Sequence, residues 1–244
     1  MQAPRSSLVC ALAALAALAV APPAIARPLD DVVASKVLRV VLYDDNEPFS
    51  WTEGGEPKGI EVEIAQVLAS KLGVAAELIL RPQAEKLEAD LRFNIVRGTL
   101  GGGIVGDVML HVPVERELAI TIKEAVLANP YFRQRVALAV RPDTGREIAS
   151  FDVFKSAKVA VQLGTVADYF LMRFDGGALV ENVSHYIKPA QGADRLAKGE
   201  VLALLGVQSS LESLLKSRGQ AAVWTTPPMP GLVRGSWVLG TAVD

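Results

Sequence analysis

The sequence predicts an α/β protein built as two lobes, and three observations carry that prediction. Short apolar, β-branched runs alternate with helical segments, the rhythm of strand–helix–strand units around a largely parallel sheet. That rhythm occurs on both sides of residue 140. Between the halves lies the stretch 98–140, where glycines feed the apolar run Val108, Met109 and Leu110, followed by a polar lip of His111, Pro113 and Arg116. A second extended run, from Tyr131 through Val136, Leu138 and Val140, then carries the chain from one lobe to the other.

The first 26 residues read as a leader. Arg5 supplies the positive start, 8–20 a short apolar stretch, and Ala24, Ile25 and Ala26 a small-residue cleavage site. That stretch is too short to span a bilayer, and no later run is long and apolar enough to do so. The protein is therefore expected in the periplasm and not as a membrane-spanning chain. The single cysteine, Cys10, falls inside the leader, which leaves no thiol for disulfide, redox or metal chemistry. Arg5 is the leader's only charged side chain, so its removal leaves 24 bases against 27 acids. That balance gives no reason to expect nucleic acid or an anionic membrane surface as partner.

Taken in order, 37–43 is a nearly all-apolar run, as a parallel strand buried on both faces requires. The polar loop 44–51 follows, with Phe49 and Trp51 in it, and the carboxyl end of a strand is where open α/β sheets bind ligands. A turn at 53–57 leads to a helix whose apolar stripe is Ile60, Ile64, Leu68 and Leu72, closed by Gly73. A strand over 75–80 and a helix over 84–97 complete the first half. In the second half, 158–162 is a strand, 166–174 a helix with Thr165 and Asp168 at capping spacing, and 183–188 a strand. A helix over 190–198, a strand over 201–207, a helix over 211–217 and a last strand over 237–243 follow.

Few motifs carry chemistry. Gly101, Gly103 and Gly106 match the dinucleotide fingerprint in letters, but they lead into a strand, whereas that fingerprint must open a helix. A turn allowing close backbone approach is the better reading. Two histidines, His111 and His185, do not make a metal site, and no triad order or nucleophile elbow occurs. Gln162, Gly164 and Thr165 precede a helix, where free N–H groups and a hydroxyl suit a carboxylate; Thr165 as a simple cap is the alternative. Arg116 is the best basic candidate in its lobe.

Several residues fall in a familiar order: Leu38, Arg39 and Val40; Pro48 and Phe49; 59–65; Leu72, Gly73 and Val74; Asp107; Pro130 and Tyr131; then 159–165. The ordered set resembles the extracellular solute-binding proteins of family 3 over nearly the whole chain after the leader. The resemblance implies a periplasmic-binding-protein-like fold of type II, with two α/β lobes joined by two crossing strands. It also implies hinge closure on a small ligand and delivery to the membrane subunits of an ABC importer. Amino-acid binders of that family carry a Thr-x-x-Arg after the aspartate, and here Pro113 stands where the threonine would pair with Arg116. Their acidic residue after 203–206 is replaced by Val207 or Gln208, so an α-amino acid is not the ligand the resemblance favours. Residues 107–113 with Pro130 and Tyr131 are similar to a divergent branch encoded beside pyrroloquinoline-quinone-dependent methanol and alcohol dehydrogenases.

The resulting expectation is a non-catalytic solute-binding protein for a small polar or acidic organic ligand, without cofactor or metal. The alternative is an accessory of a periplasmic quinoprotein dehydrogenase. The expected cleft residues are Tyr43, Asp44, Asn46, Phe49, Trp51, His111, Arg116, Gln162, Gly164 and Thr165. Lobe 1 is expected over 30–132 plus 229–244 and lobe 2 over 133–228. The sequence ends at Asp244, after a strand that family members follow with one or two helices, so the expectation is either a truncated copy or a lobe 1 that lacks part of its cover.

Overall fold

The computed structural model describes residues 27–84, 86–98, 103–144, 148–232 and 235–244. The leader and Gly101 therefore lie outside the described residues. After helix α1 (Leu29–Ser35), strand β1 (Val37–Tyr43) runs parallel to β4 (Ala75–Arg81) on one side and β5 (Val108–Pro113) on the other. A central parallel strand is covered on both faces, which is why its sequence is almost wholly apolar. Its side chains alternate between two cores. Val40 and Leu42 pack with Val62, Ala65 and Ala69, whereas Val41 and Tyr43 pack with Leu91, Ile95, Met109 and Ile122.

The link between halves is strand β6 (Val126–Val140), which starts earlier than the sequence suggests. Its first part pairs with β11 (Ser236–Val243), itself antiparallel to β5. Its last five residues, 136–140, pair with β9 (Ala203–Val207), and 138–140 also pair with β10 (Val223–Thr225). The strand order is β4-β1-β5-β11-β6-β9-β7-β8, with β7 (Val159–Gln162) parallel to β8 (Val183–Tyr186) and to β9. The return passage, 226–235, leaves β10 opposite Leu138 and enters β11 opposite Arg135. A small hairpin, β2 (Trp51–Glu53) with β3 (Glu56–Lys58), tops the first half.

Helices α5 (Val166–Arg173), α6 (Pro189–Ala197) and α7 (Gln208–Ser217) cover the second half over cores built on Phe151, Phe170 and Leu171 and on Ala139, Leu204 and Leu211. In the first half, α3 (Leu87–Leu91) widens into a π-helical turn over Arg92–Val96, and α4 (Arg116–Thr121) follows β5. Among the described residues no helix is long and apolar enough to cross a membrane.

Helix α2 (Ile60–Leu72) corrects the sequence reading. Its buried residues are Glu61, Val62, Ala65 and Ala69, while Ile60 and Leu72 of the expected stripe are exposed. The small residues let the helix sit close on the sheet. Ile64 and Leu68 of that stripe are half-buried and pack against the same core, and with Leu72 they also flank an open groove with Leu29, Val108 and Val243. The expected close approach at Gly106 is present: a β-carbon there would overlap the Val41 side chain.

Candidate functional site

The chemistry of the first half gathers at the carboxyl end of β5. His111 has a positive φ of 62°, a conformation that a side-chain-bearing residue adopts only under local constraint. Three bonds supply it. The His111 N–H donates to the Tyr131 hydroxyl at 2.8 Å, and that hydroxyl donates to Glu61 Oε1 at 2.6 Å. His111 Nδ1 lies 2.8 Å from the same carboxylate oxygen. The Asn46 amide is 3.1 Å from Nδ1, and the Phe49 ring stands edge-on to the imidazole at 4.8 Å between centroids.

Glu61 is fully buried, and a carboxylate out of water needs donors. Oε1 has two, whereas Oε2 is buried with no partner among the described residues. A carboxylate facing Nδ1 favours the tautomer with its proton on Nδ1, leaving Nε2 as the other working nitrogen. Among the described residues nothing hydrogen-bonds Nε2, and the side chain keeps 14% of its surface exposed. Burial and the facing Glu61 charge push the Tyr131 hydroxyl well above the usual tyrosine range, so it remains a neutral donor.

The second half presents another group where β7 meets α5. Thr165 caps the helix: its Oγ1 accepts from the Asp168 N–H at 3.3 Å and donates to the Gln162 carbonyl at 2.8 Å. Asp168 in turn accepts from the Gly164 N–H and lies 2.8 Å from His185 Nε2. Of the donors offered to a ligand by sequence reasoning, the Gly164 N–H and the Thr165 hydroxyl are thus engaged, one in the turn and one in the cap. Gln162 reaches the Ile187 carbonyl at 3.4 Å.

The expected residues therefore fall into two groups, Asn46, Phe49 and His111 in one and Gln162, Gly164 and Thr165 in the other. Tyr43 touches His111 only by its ring edge, and its hydroxyl turns into the core to donate to Asp90 at 2.8 Å. Asp44 bonds within its own loop and hairpin, accepting from the Asp45 N–H and the Thr52 hydroxyl. Trp51 lies in the hairpin opposite Lys58, and Arg116 is exposed at the start of α4. Glu61 was missed because it was read on the polar side of its helix. The sequence marks Tyr131 as a strand start and as part of the family resemblance, not as a cleft residue.

The halves face each other across a shared space, since Pro113 and Glu115 line one cavity with Val166 of α5. Among the described residues no group of three metal-ligating side chains is placed to hold an ion.

No family model matches the chain, and no curated protein matches it. Solved structures do. An ancestral cationic amino acid solute-binding protein superposes with a TM-score of 0.66 at 23% identity, over 88% of this chain and 85% of its own. The arginine-bound form of a truncated arginine-binding protein from T. maritima gives 0.56 at 22% identity, over 88% and 91%. The solute receptor for L-cysteine of Neisseria gonorrhoeae gives 0.56 at 20% identity, over 89% and 81%. Identities this low speak for architecture alone. The chain has the type II periplasmic-binding-protein-like fold.

Proposed function

We propose that this chain is a non-catalytic periplasmic solute-binding protein of the type that serves ABC importers, holding a small polar or acidic organic ligand between its lobes. The observation that carries the reading is His111, fixed by a buried carboxylate on Nδ1 with Nε2 left for something else. A side chain positioned at such expense of burial and backbone strain marks a binding site better than a loop residue does. Structures of the same fold are described as binding arginine, L-cysteine and cationic amino acids. By the family resemblance, Pro113 and either Val207 or Gln208 stand at the two positions that would recognise an amino acid, which supports a different polar ligand. Tyr131 is engaged with Glu61 and the His111 N–H, which leaves the imidazole Nε2 with the Asn46 amide nearby, a set suited to binding more than to a two-sided acid–base step. The role of dehydrogenase accessory rests on the sequence resemblance alone.

The test is thermal unfolding of the chain without residues 1–26 against amino acids, organic acids, alcohols and the quinone cofactor. A ligand at about a hundred times its Kd should add roughly 2.7 kcal/mol of stability. His111→Gln should remove the shift. A well-folded sample that responds to nothing contradicts the reading.

A further inference from the structure

Nδ1 of His111 has two neighbours competing for one bond. It lies 2.8 Å from Glu61 Oε1 and 3.1 Å from the Asn46 amide nitrogen. It can donate a proton to the first or accept one from the second, and not both. The carboxylate is the stronger partner. Its bond is shorter and charge-assisted, and an imidazole ordinarily holds a shared proton more tightly than a carboxylate does. Glu61 also needs that proton, because Tyr131 is its one other side-chain donor and Oε2 has none among the described residues. A neutral imidazole has a single N–H. With it on Nδ1, Nε2 carries a lone pair and can only accept. Nε2 has no partner among the described residues and is not one of the buried atoms left without one, which places it within reach of solvent.

The charge around this acceptor is negative. Glu61 is fully buried, and the loop that carries Asn46 adds Asp44, Asp45 and Glu47, none of them in an ion pair among the described residues. Arg116, on α4, and Arg133, on β6, are exposed, and neither bonds Glu61, Tyr131 or His111. Burial and Glu61 hold the Tyr131 hydroxyl high, and no lysine or arginine offsets them there. The neighbouring surface is aromatic: Phe49 stands edge-on to His111, and Phe132 stands edge-on to Phe49 at 5.2 Å and is 38% exposed. Such rings attract cations. A carboxylate would meet a lone pair backed by a buried anion. An alcohol would satisfy the lone pair and leave the charge unmet. An ammonium satisfies both. Building on the solute-binding reading, we propose that the ligand is a small organic amine, bound as its ammonium, with an N–H donated to His111 Nε2 and its carbon chain against Phe132. Glu61 is then a positioning residue, which sets the tautomer that accepts.

The probes are butylammonium, 1-butanol, butyrate and butyltrimethylammonium, titrated at about pH 8, above the ordinary imidazole range, into the chain without residues 1–26. Binding is followed by calorimetry and by the imidazole nitrogen signals. Butylammonium should bind saturably and move the His111 Nε2 signal while His185 stays in place. Butanol lacks the charge and butyltrimethylammonium lacks the N–H, so each should bind at least about tenfold more weakly, and butyrate most weakly of all. Glu61→Gln should let the proton populate Nε2 and should remove the preference for ammonium over alcohol, and a changed tautomer is a result that a merely structural role would not produce. The ranking of probes is read on the parent protein, so it stands whatever the stability of that variant. Butanol, butyrate or the trimethyl cation binding as tightly as butylammonium overturns the proposal. So does butylammonium that fails to saturate or that leaves His111 Nε2 unmoved. After any of these results the solute-binding reading survives if a compound of the thermal panel still raises the unfolding midpoint, and falls if none does, so the two fail separately.

Discussion

Oε1 of Glu61 has two donors and, among the described residues, Oε2 has none, so the residue's burial is only half compensated there. Its neighbours are correspondingly sensitive. Tyr131→Phe removes the hydroxyl that serves both Glu61 and the His111 N–H, and should destabilise the fold by about 1–3 kcal/mol in urea unfolding with an unchanged slope. Asp90 gives a test by pH. Burial raises its carboxyl above the usual range despite the hydrogen bonds from Tyr43 and Ala84. A raised value means that the folded state holds the proton more tightly than the unfolded chain does. The associated stability is present at low pH and is lost as pH rises through the raised value, above the ordinary carboxylate range. Asp90→Asn should flatten that part of the stability-versus-pH curve, measured as denaturation midpoints from about pH 3 to 7. At this scale the sequence was only partly legible. His111, Asn46 and Phe49 were found because they follow strands, where open sheets bind. Glu61 was hidden because a charged side chain in an amphipathic helix is ordinarily solvated, and only the tertiary position of Tyr131 and His111 makes its burial tolerable.

Among the elements, α5 and α2 carry the clearest expectations. Thr165→Ala removes the cap on α5 and should cost about 1 kcal/mol, read as a lowered unfolding midpoint. If Thr165 also touches the ligand, affinity should fall beyond what that stability loss explains. Gly59 precedes α2 with φ at 127°, and a β-carbon there would overlap the Phe49 carbonyl. Gly59→Ala should therefore destabilise more than the cap variant does, by about 2 kcal/mol or more, because it displaces the loop that holds Phe49 against His111. Strand positions were legible because parallel strands covered on both faces leave an unbroken apolar signal. The face of α2 was not. Its period of four found Ile64 and Leu68, which pack at the edge of the core, whereas the fully buried contact is made by Val62, Ala65 and Ala69, whose small side chains give little signal.

For the whole molecule, the continuous β6 is the feature from which the two-lobe reading follows, since its two parts belong to different sets of strands. Lobes divided near residues 133 and 228 would rotate about 133–136 and the return passage. Ligand binding should then lower the radius of gyration seen by small-angle scattering, and Val136, buried where the two pairings meet, should be a position where substitution alters closure. The two-lobe organisation was visible in the repeated strand–helix rhythm. What joins the lobes was visible only from Tyr131 onward, because 126–130 contains Asn129 and Pro130, residues that read as a turn and become a strand edge only when paired with β11.

The central claim is that His111, held on Nδ1 by Glu61, offers Nε2 to a ligand. The sequence contains only two histidines, so both imidazoles can be followed in long-range proton–nitrogen spectra. We expect Nδ1 of His111 to carry the proton in the free protein, and a bound ligand from the thermal panel to move the His111 Nε2 signal while His185 stays in place. A ligand that binds between the lobes and leaves the His111 signals unchanged would contradict the account.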